Sequence, residues 1–290
     1  MKSEIYVKPF KKYSAIWIFA VLPFHPITKK SVYGLLHAAW KNFYIIQQKQ
    51  KMHLTSIPLI SVDHPLDSKI PFIPKNIRIY MDFVNFFCRI MRMLIQRLKK
   101  EGYKASKETV EFISSLYQNA GEIYSHALST TKRPFYIGKP KFLIIHLFDP
   151  HYLCVPSLHV AIVAGVWAKI REILSETDLS DEEKKLILDE IYTGSVAITE
   201  SVLLVKQHSI NCVAGALYLL SASHSKGFFT EDDVEKFVHC LFANDNYVEE
   251  EDKEKIRKHI ISMYTDLMDK KNSQTEWQKP LHDWLDSYKA

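Results

Sequence analysis

The spacing of apolar residues is helical almost from end to end. Residues 30–48 place Val32, Leu35, Leu36, Ala39, Trp40, Phe43 and Ile46 three and four apart, the period that gathers them on one helix face. A second stripe, Ile79, Phe83, Phe86, Phe87, Ile90, Met93 and Leu94, predicts a helix over 76–99. Arg78, Arg89, Arg92 and Arg97 make that helix a poor membrane span. Between the two, Pro58, Pro65, Pro71 and Pro74 predict irregular backbone over 49–76. Ser106 reads as the N-cap of a third helix, whose stripe Val110, Ile113, Tyr117, Ala120, Ile123, Tyr124 and Ala127 ends near Ser129. Residues 130–156 read as a loop rich in Pro, Lys and aromatics. A helix follows from Ser157 to about Leu174, and the capping box Ser180-x-x-Glu183 opens another to about Tyr192. Residues 195–222 are apolar but hold Ser201, Lys206, His208 and Asn211, and Gly227 marks a stop. Beyond Thr230 the acidic and lysine-rich composition predicts two or three amphipathic helices. Strand signals are weak, so the fold class is all-α.

This pattern divides the chain into an N-terminal apolar segment (1–29), a helical core (30–223) and an acidic, amphipathic C-terminal appendage (224–290). Only 8 of the 290 residues are Gly, which argues against barrels and Gly-rich nucleotide loops. The net charge of +5 is spread among interleaved acids, so it biases the chain towards anionic partners without the basic stripe that nucleic acid requires. Cys88, Cys154, Cys212 and Cys240 lie far apart, with no zinc-finger spacing, and read as reduced thiols of a cytosolic protein. Ser14 to Phe24, preceded by Lys8, Lys11 and Lys12, has the order of a signal peptide. It is short, ends in Pro23-Phe24-His25-Pro26 and lacks a small-residue cleavage site, so a buried segment or a shallow membrane anchor fits better.

Three islands hold the candidate chemistry. They are Lys132-Arg133-Pro134, then Pro156-Ser157-Leu158-His159, then Ser201 through Lys206-Gln-His208 to Asn211, Cys212 and Gly215. Taken singly, each has a bland reading: a solvated loop cation, a helix cap, a hydrogen-bonded core histidine. Together they resemble the signature motifs of the type 2 phosphatidic acid phosphatase superfamily, and that resemblance implies a phosphate ester as substrate. Arg133 offers a planar fork for two phosphate oxygens. Ser157, where a helix begins, points a hydroxyl and backbone N–H groups at the same anion. Lys132 and Lys206 add point charges, and Ser201 is placed to orient the histidine or a phosphate oxygen. The resemblance implies His208 as the nucleophile and His159 as the general acid and base. With the phosphoryl charge held by fixed donors, neither a metal nor a cofactor is required.

The islands stand in the order of that superfamily's motifs, K-x6-RP, PSGH and SR-x5-H-x3-D. The branch with PSLH followed by Val-Ala is the most similar. The segment Asp67-Ser-Lys-Ile70-Pro71-Phe72-Ile-Pro74 with Tyr80 extends the likeness upstream, so that it covers roughly residues 30–223. The resemblance implies an all-α bundle of the phosphatase and haloperoxidase kind, with extra C-terminal helices. It also implies metal-independent hydrolysis of a phosphate monoester through a phosphohistidine. The expected partner is a phosphate-bearing small molecule or lipid, not nucleic acid, met in the cytoplasm or at a peripheral membrane contact.

The chain departs from the pattern at three places. His126 stands where the first-motif lysine belongs, and Val202 replaces the third-motif arginine. The third-motif aspartate is Cys212 by strict count, or Asn211 when the following glycine is aligned. Asn211 is then the residue expected to orient His208, without the charge that supports an imidazolium. By analogy with other oriented histidines the penalty is about two to four orders of magnitude in turnover. Three alternatives to a phosphatase follow: an impaired relative that binds a phosphate-bearing ligand or lipid headgroup, a phosphotransferase using the same intermediate, and a helical interaction protein. The last requires Arg133, His159 and His208 to lie far apart.

Overall fold

Amphipathic helices build the molecule from outside in. The computed structural model describes residues 8–136 and 138–288, and Phe148 by its backbone only. Residues 1–7 of the predicted N-terminal segment lie outside that range. The described chain begins with a 3-10 turn at Phe10–Lys12 and the short helix α1 (Ile16–Val21). Helix α2 (Lys29–Ala39) continues through a π-helical turn, Trp40–Tyr44, into α3 (Ile45–Lys51). The strand β1 (Leu59–Ser61), two 3-10 turns at Pro65–Lys69 and Pro74–Asn76, and the single turn α4 (Ile77–Tyr80) occupy the proline-rich stretch. Helices α5 (Phe83–Leu98) and α6 (Lys100–His126) form a hairpin, followed by β2 (Leu128–Thr130) and α7 (Pro140–Phe148). Then come α8 (Leu158–Ser175), α9 (Asp181–Leu204), α10 (Ile210–Ala222), α11 (Glu231–Cys240), α12 (Glu250–Asn272) and α13 (Lys279–Ser287). Helix accounts for 69% of the described residues and strand for 3%, so the class is all-α. Among the described residues no helix is long and apolar enough to cross a membrane.

Helix α8 is the axis of the core. Val160, Ala161, Ile162, Val163, Ala164 and Val166 are fully buried, so the helix is covered on all sides rather than along one stripe. Helices α5, α6, α9 and α10 pack around it. At Gly165 a Cβ would sit 2.6 Å from the Phe112 ring and 2.7 Å from Leu220, which is why α6 and α10 approach so closely there.

Five places differ from the sequence pattern, the first being that the helix predicted over 76–99 breaks between Tyr80 and Phe83 into α4 and α5. Ser106 is inside α6 and not a cap: the helix starts at Lys100 after a one-residue turn, with Lys99 at φ 54°. The Ser106 hydroxyl donates back to the Gly102 carbonyl at 2.7 Å, which makes a polar residue tolerable in mid-helix. Helix α9 runs on past Tyr192 to Leu204, because Thr193 and Ser195 return their hydroxyls to the carbonyls of Asp189 and Ile191. The loop 130–156 contains α7. The parallel pair β1–β2, in register Leu59↔Leu128, lies where irregular chain was expected.

Residues 224–288 hold three helices that share the core with α10. Phe237, Ile256, Ile260 and Leu281 are fully buried, and Arg171 of α8 makes a bidentate pair with Asp233 at 2.6 and 2.8 Å. Cys88, Cys154, Cys212 and Cys240 are free thiols, the first three buried.

Candidate functional site

Two backbone turns bring the histidines together. The first precedes α8. Ser129, at the middle of β2, accepts Val155 N–H at 2.7 Å and Cys154 N–H at 3.1 Å on its hydroxyl. Tyr124 of α6 donates to the Pro156 carbonyl at 2.7 Å, and Ser157 N–H reaches the Cys212 carbonyl of α10 at 3.2 Å. The chain is thus tied to β2, α6 and α10 just before α8 begins. Ser157 is the N-cap, its Oγ accepting Val160 N–H at 3.5 Å. It is fully buried, so the phosphate-binding role expected for its hydroxyl gives way to starting α8 beside His159.

The second turn joins α9 to α10. Helix α9 ends in a pair of reverse bonds, Lys206 N–H to Leu203 O at 3.0 Å and Gln207 N–H to Val202 O at 3.0 Å. Lys206 takes the left-handed position at φ 55°. The segment 64–76 holds this turn from outside. Ile73 N–H donates to the Leu204 carbonyl at 2.7 Å, and Asp67 Oδ1 accepts Ile210 N–H at 3.0 Å at the start of α10. The Lys206 ammonium donates to the Asp67 backbone carbonyl, so it clamps this segment rather than pointing a charge at a phosphate. Burial raises the Asp67 carboxyl pKa, although its hydrogen bonds pull the other way.

Between the turns the His159 and His208 rings stand 5.6 Å apart, centre to centre, at 61°. His159 is stacked on Tyr80 at 4.6 Å and packed on Phe83 at 4.3 Å. Burial in this aromatic cage lowers its pKa to about 4. His208 is held well below the ordinary histidine range by burial first, then by the neighbouring His159 and Arg133; the backbone at Cys154 acts in the opposite direction. Its Nδ1 is buried without a hydrogen-bond partner. Both rings are therefore neutral near neutral pH.

Arg133 completes the group. It donates to Gln207 Oε1 at 2.9 Å, next to His208, and to the Asp149 carbonyl at 3.1 Å. Two of its five N–H groups are used in these bonds, which leaves three for an anion. The Asp149 carboxylate lies 3.9 Å away as its counter-ion.

The remaining expected ligands are elsewhere. Lys132 is exposed, its backbone N–H bonded to Asp63 Oδ1 at 2.9 Å. Ser201 donates to the Ile198 carbonyl at 2.6 Å within its own helix, so it orients neither ring. Asn211 does not orient His208. Its Nδ2 donates to the Val62 carbonyl at 3.2 Å and the Tyr288 hydroxyl at 2.9 Å, and its Oδ1 pairs with His259 Nε2 at 2.7 Å. Every polar atom of that side chain is engaged by the chain's C-terminal helices and the β1 end.

The pattern of residues missed four neighbours. His151, at φ 66°, is bonded to Thr131 Oγ1 at 2.8 Å and lies 6.3 Å from the His208 ring. Asp149 accepts His151 N–H at 3.0 Å. Gln207 and Phe83 touch Arg133 and His159 respectively. The Asp149-Pro150-His151 turn just ahead of the second island was the available signal for two of them. Among the described residues no group of three or more His, Cys, Asp and Glu side chains is arranged to hold a metal ion. No family, curated protein or solved structure matches the chain.

Proposed function

We propose that the chain is a phosphoric monoester hydrolase of the type 2 phosphatidic acid phosphatase kind, working through a phosphohistidine at His208. The observation that carries the reading is the convergence of Arg133, His159 and His208 from three separate segments, with the two rings 5.6 Å apart. A helical protein with coincidental motifs gives no reason for that convergence.

Arg133 takes the phosphoryl oxygens on its free N–H groups, displacing Asp149. The arriving negative charge raises the proton affinity of both rings, so His159 takes up a proton as the site fills. The neutral His208 attacks phosphorus, the P–O bond to the leaving group breaks, and His159 hands its proton to the departing alkoxide. His159 then removes a proton from water, which attacks phosphorus, breaks the P–N bond and releases phosphate with a neutral His208. Ser157, Ser129 and Tyr124 fix where His159 stands; Asp67, Lys206 and Ile73 fix where His208 stands.

The unpartnered Nδ1 of His208 favours a second reading, a phosphate-binding relative with little turnover. One experiment separates the two. Hydrolysis of p-nitrophenyl phosphate is measured with and without chelator, in the wild type and in His208→Ala, together with trapping of acid-labile phosphate on the chain. Turnover lost in His208→Ala, with label on wild type only, is the expected result. Chelator-resistant turnover that survives His208→Ala removes His208 as nucleophile. Phosphate binding without turnover establishes the second reading.

A further inference from the structure

The stretch from Lys132 to Phe148 contains no Asp or Glu and carries Lys132, Arg133, Lys139 and Lys141. Its helix, α7, is apolar on both faces. Phe142 is buried against Phe72 at 5.7 Å and Tyr136 at 5.2 Å, and Ile145 is buried with it. On the opposite side Leu143, Ile144 and Leu147, spaced to share one face, are all exposed, Leu147 at 63%. Phe135, just before the helix, is exposed at 86%. Lys141, on the same helix, and Lys132, earlier in the stretch, are exposed as well. A solvent-facing helix side normally carries polar residues, so a contiguous apolar face rimmed by cations marks a contact surface.

We propose that α7 and Phe135 form a docking face for an anionic lipid bilayer. Nine residues of helix span about 13 Å, enough to lie along the interface and far too little to cross it. Apolar side chains enter the acyl boundary while Lys141 and Lys139 of the same acid-free stretch meet anionic headgroups; Lys132 lies beside the Asp63 carboxylate and adds less. The face is joined to the chemistry: α7 ends at Asp149, whose carbonyl accepts from Arg133. Docking there brings the Arg133 fork to the level of lipid phosphates. That last step rests on the phosphatase reading; the docking itself does not.

The test uses the full chain and vesicles of phosphatidylcholine, with or without phosphatidylglycerol, read by co-sedimentation. Binding is expected on the anionic vesicles, weakened by salt and by removal of phosphatidylglycerol. Each of Leu143→Ser, Ile144→Ser and Leu147→Ser is expected to weaken binding by about tenfold, and the triple variant to abolish it. The triple variant keeps its circular dichroism and its turnover of p-nitrophenyl phosphate, which shows that the fold and the site are intact. Absence of wild-type binding, or binding unchanged in the triple variant, overturns the proposal. So does a wild-type dimer that the triple variant turns into a monomer, because the face then belongs to a second copy. Loss of p-nitrophenyl phosphate turnover in the wild type would sink the phosphatase reading and leave the docking result standing.

Discussion

Acidification from about pH 7.5 to about pH 5 is expected to remove about 4 kcal/mol of folding stability through two rings alone. Burial among Tyr80 and Phe83 lowers the His159 pKa from 6.5 to about 4. Burial first, and the His64 ring stacked at 3.8 Å second, lower His259 to about 4 as well. Each ring is neutral in the folded chain and regains an ordinary pKa of 6.5 when the chain unfolds. Between those two values the unfolded state binds more protons, so stability is intact above about 6.5 and falls as the pH drops towards about 4. At about pH 5 the unfolded ring is almost fully charged and the folded one about a tenth charged, a difference of about 2 kcal/mol per ring. Two such rings account for a large share of a typical 5–15 kcal/mol.

The assay is the urea unfolding midpoint followed by tryptophan fluorescence at each pH. His159→Phe isolates one ring, since Phe retains the contacts with Tyr80 and Phe83 and carries no proton. That variant is expected to lose about 2 kcal/mol less than the wild type over the same interval. Groups that do not face His159 cancel in the comparison, and His208, which His159 also lowers, shifts in the variant in the sense that adds to the same difference. His208 and His151 are lowered by burial and act in the same sense, while Asp67 and Asp149, raised by burial, act in the opposite one. Equal losses in the wild type and His159→Phe would refute the reasoning.

Asn211→Asp separates the alignment from the structure. If residue 211 supported His208, a carboxylate would raise turnover; here it loses the donor to Val62 and Tyr288 and faces the Val62 carbonyl, so the expected result is a loss of about 1–3 kcal/mol in denaturant and no gain in kcat. Ser129→Ala leaves Val155 N–H without its acceptor, at an expected cost of about 1–3 kcal/mol, and kcat for p-nitrophenyl phosphate falls with it because that strand leads directly to His159.

The fold class was legible because period and burial agree along α5 and α6, although in the 30–48 stripe Leu36 and Trp40 face outward. The stripe of α5 buries Phe86, Phe87, Ile90, Met93 and Leu94, the residues its spacing selects. Boundaries failed where hydroxyls satisfy backbone groups inside a helix, as at Ser106 and Thr193, because the same residue types also cap helices. Helix α7 failed because it is apolar all round and short, so it shows no period at all. The C-terminal helices read as an appendage because their acidic exposed faces dominate the composition, whereas the residues that enter the core, such as Phe237 and Ile260, are few and widely spaced. Residue type and order single out Arg133, His159 and His208 as candidates, and the folded chain brings the two histidine rings to 5.6 Å and Arg133 onto Gln207 beside His208. The places of Lys206, Ser201 and Asn211 were not legible, since each is engaged by a partner distant in sequence or by its own helix, and only the folded chain shows which.

The loss of the third-motif carboxylate and the surroundings of His208 bear on one another. Asn211 is held by His259 and Tyr288, two residues of the C-terminal helices, and is closed to the imidazole. With burial first, then His159 and Arg133, opposing a charge on His208, the resting ring stays neutral, which is the form the phosphatase reading requires of a nucleophile. The penalty therefore falls on the step that follows. Attack places positive charge on the ring, and Nδ1 has no acceptor to share it. Arg133 is unaffected by this loss, because its fork is set by Gln207 and Asp149 and not by His208. Phosphate affinity and KM should then be ordinary while kcat is low, a division that a defect in the clamp would reverse.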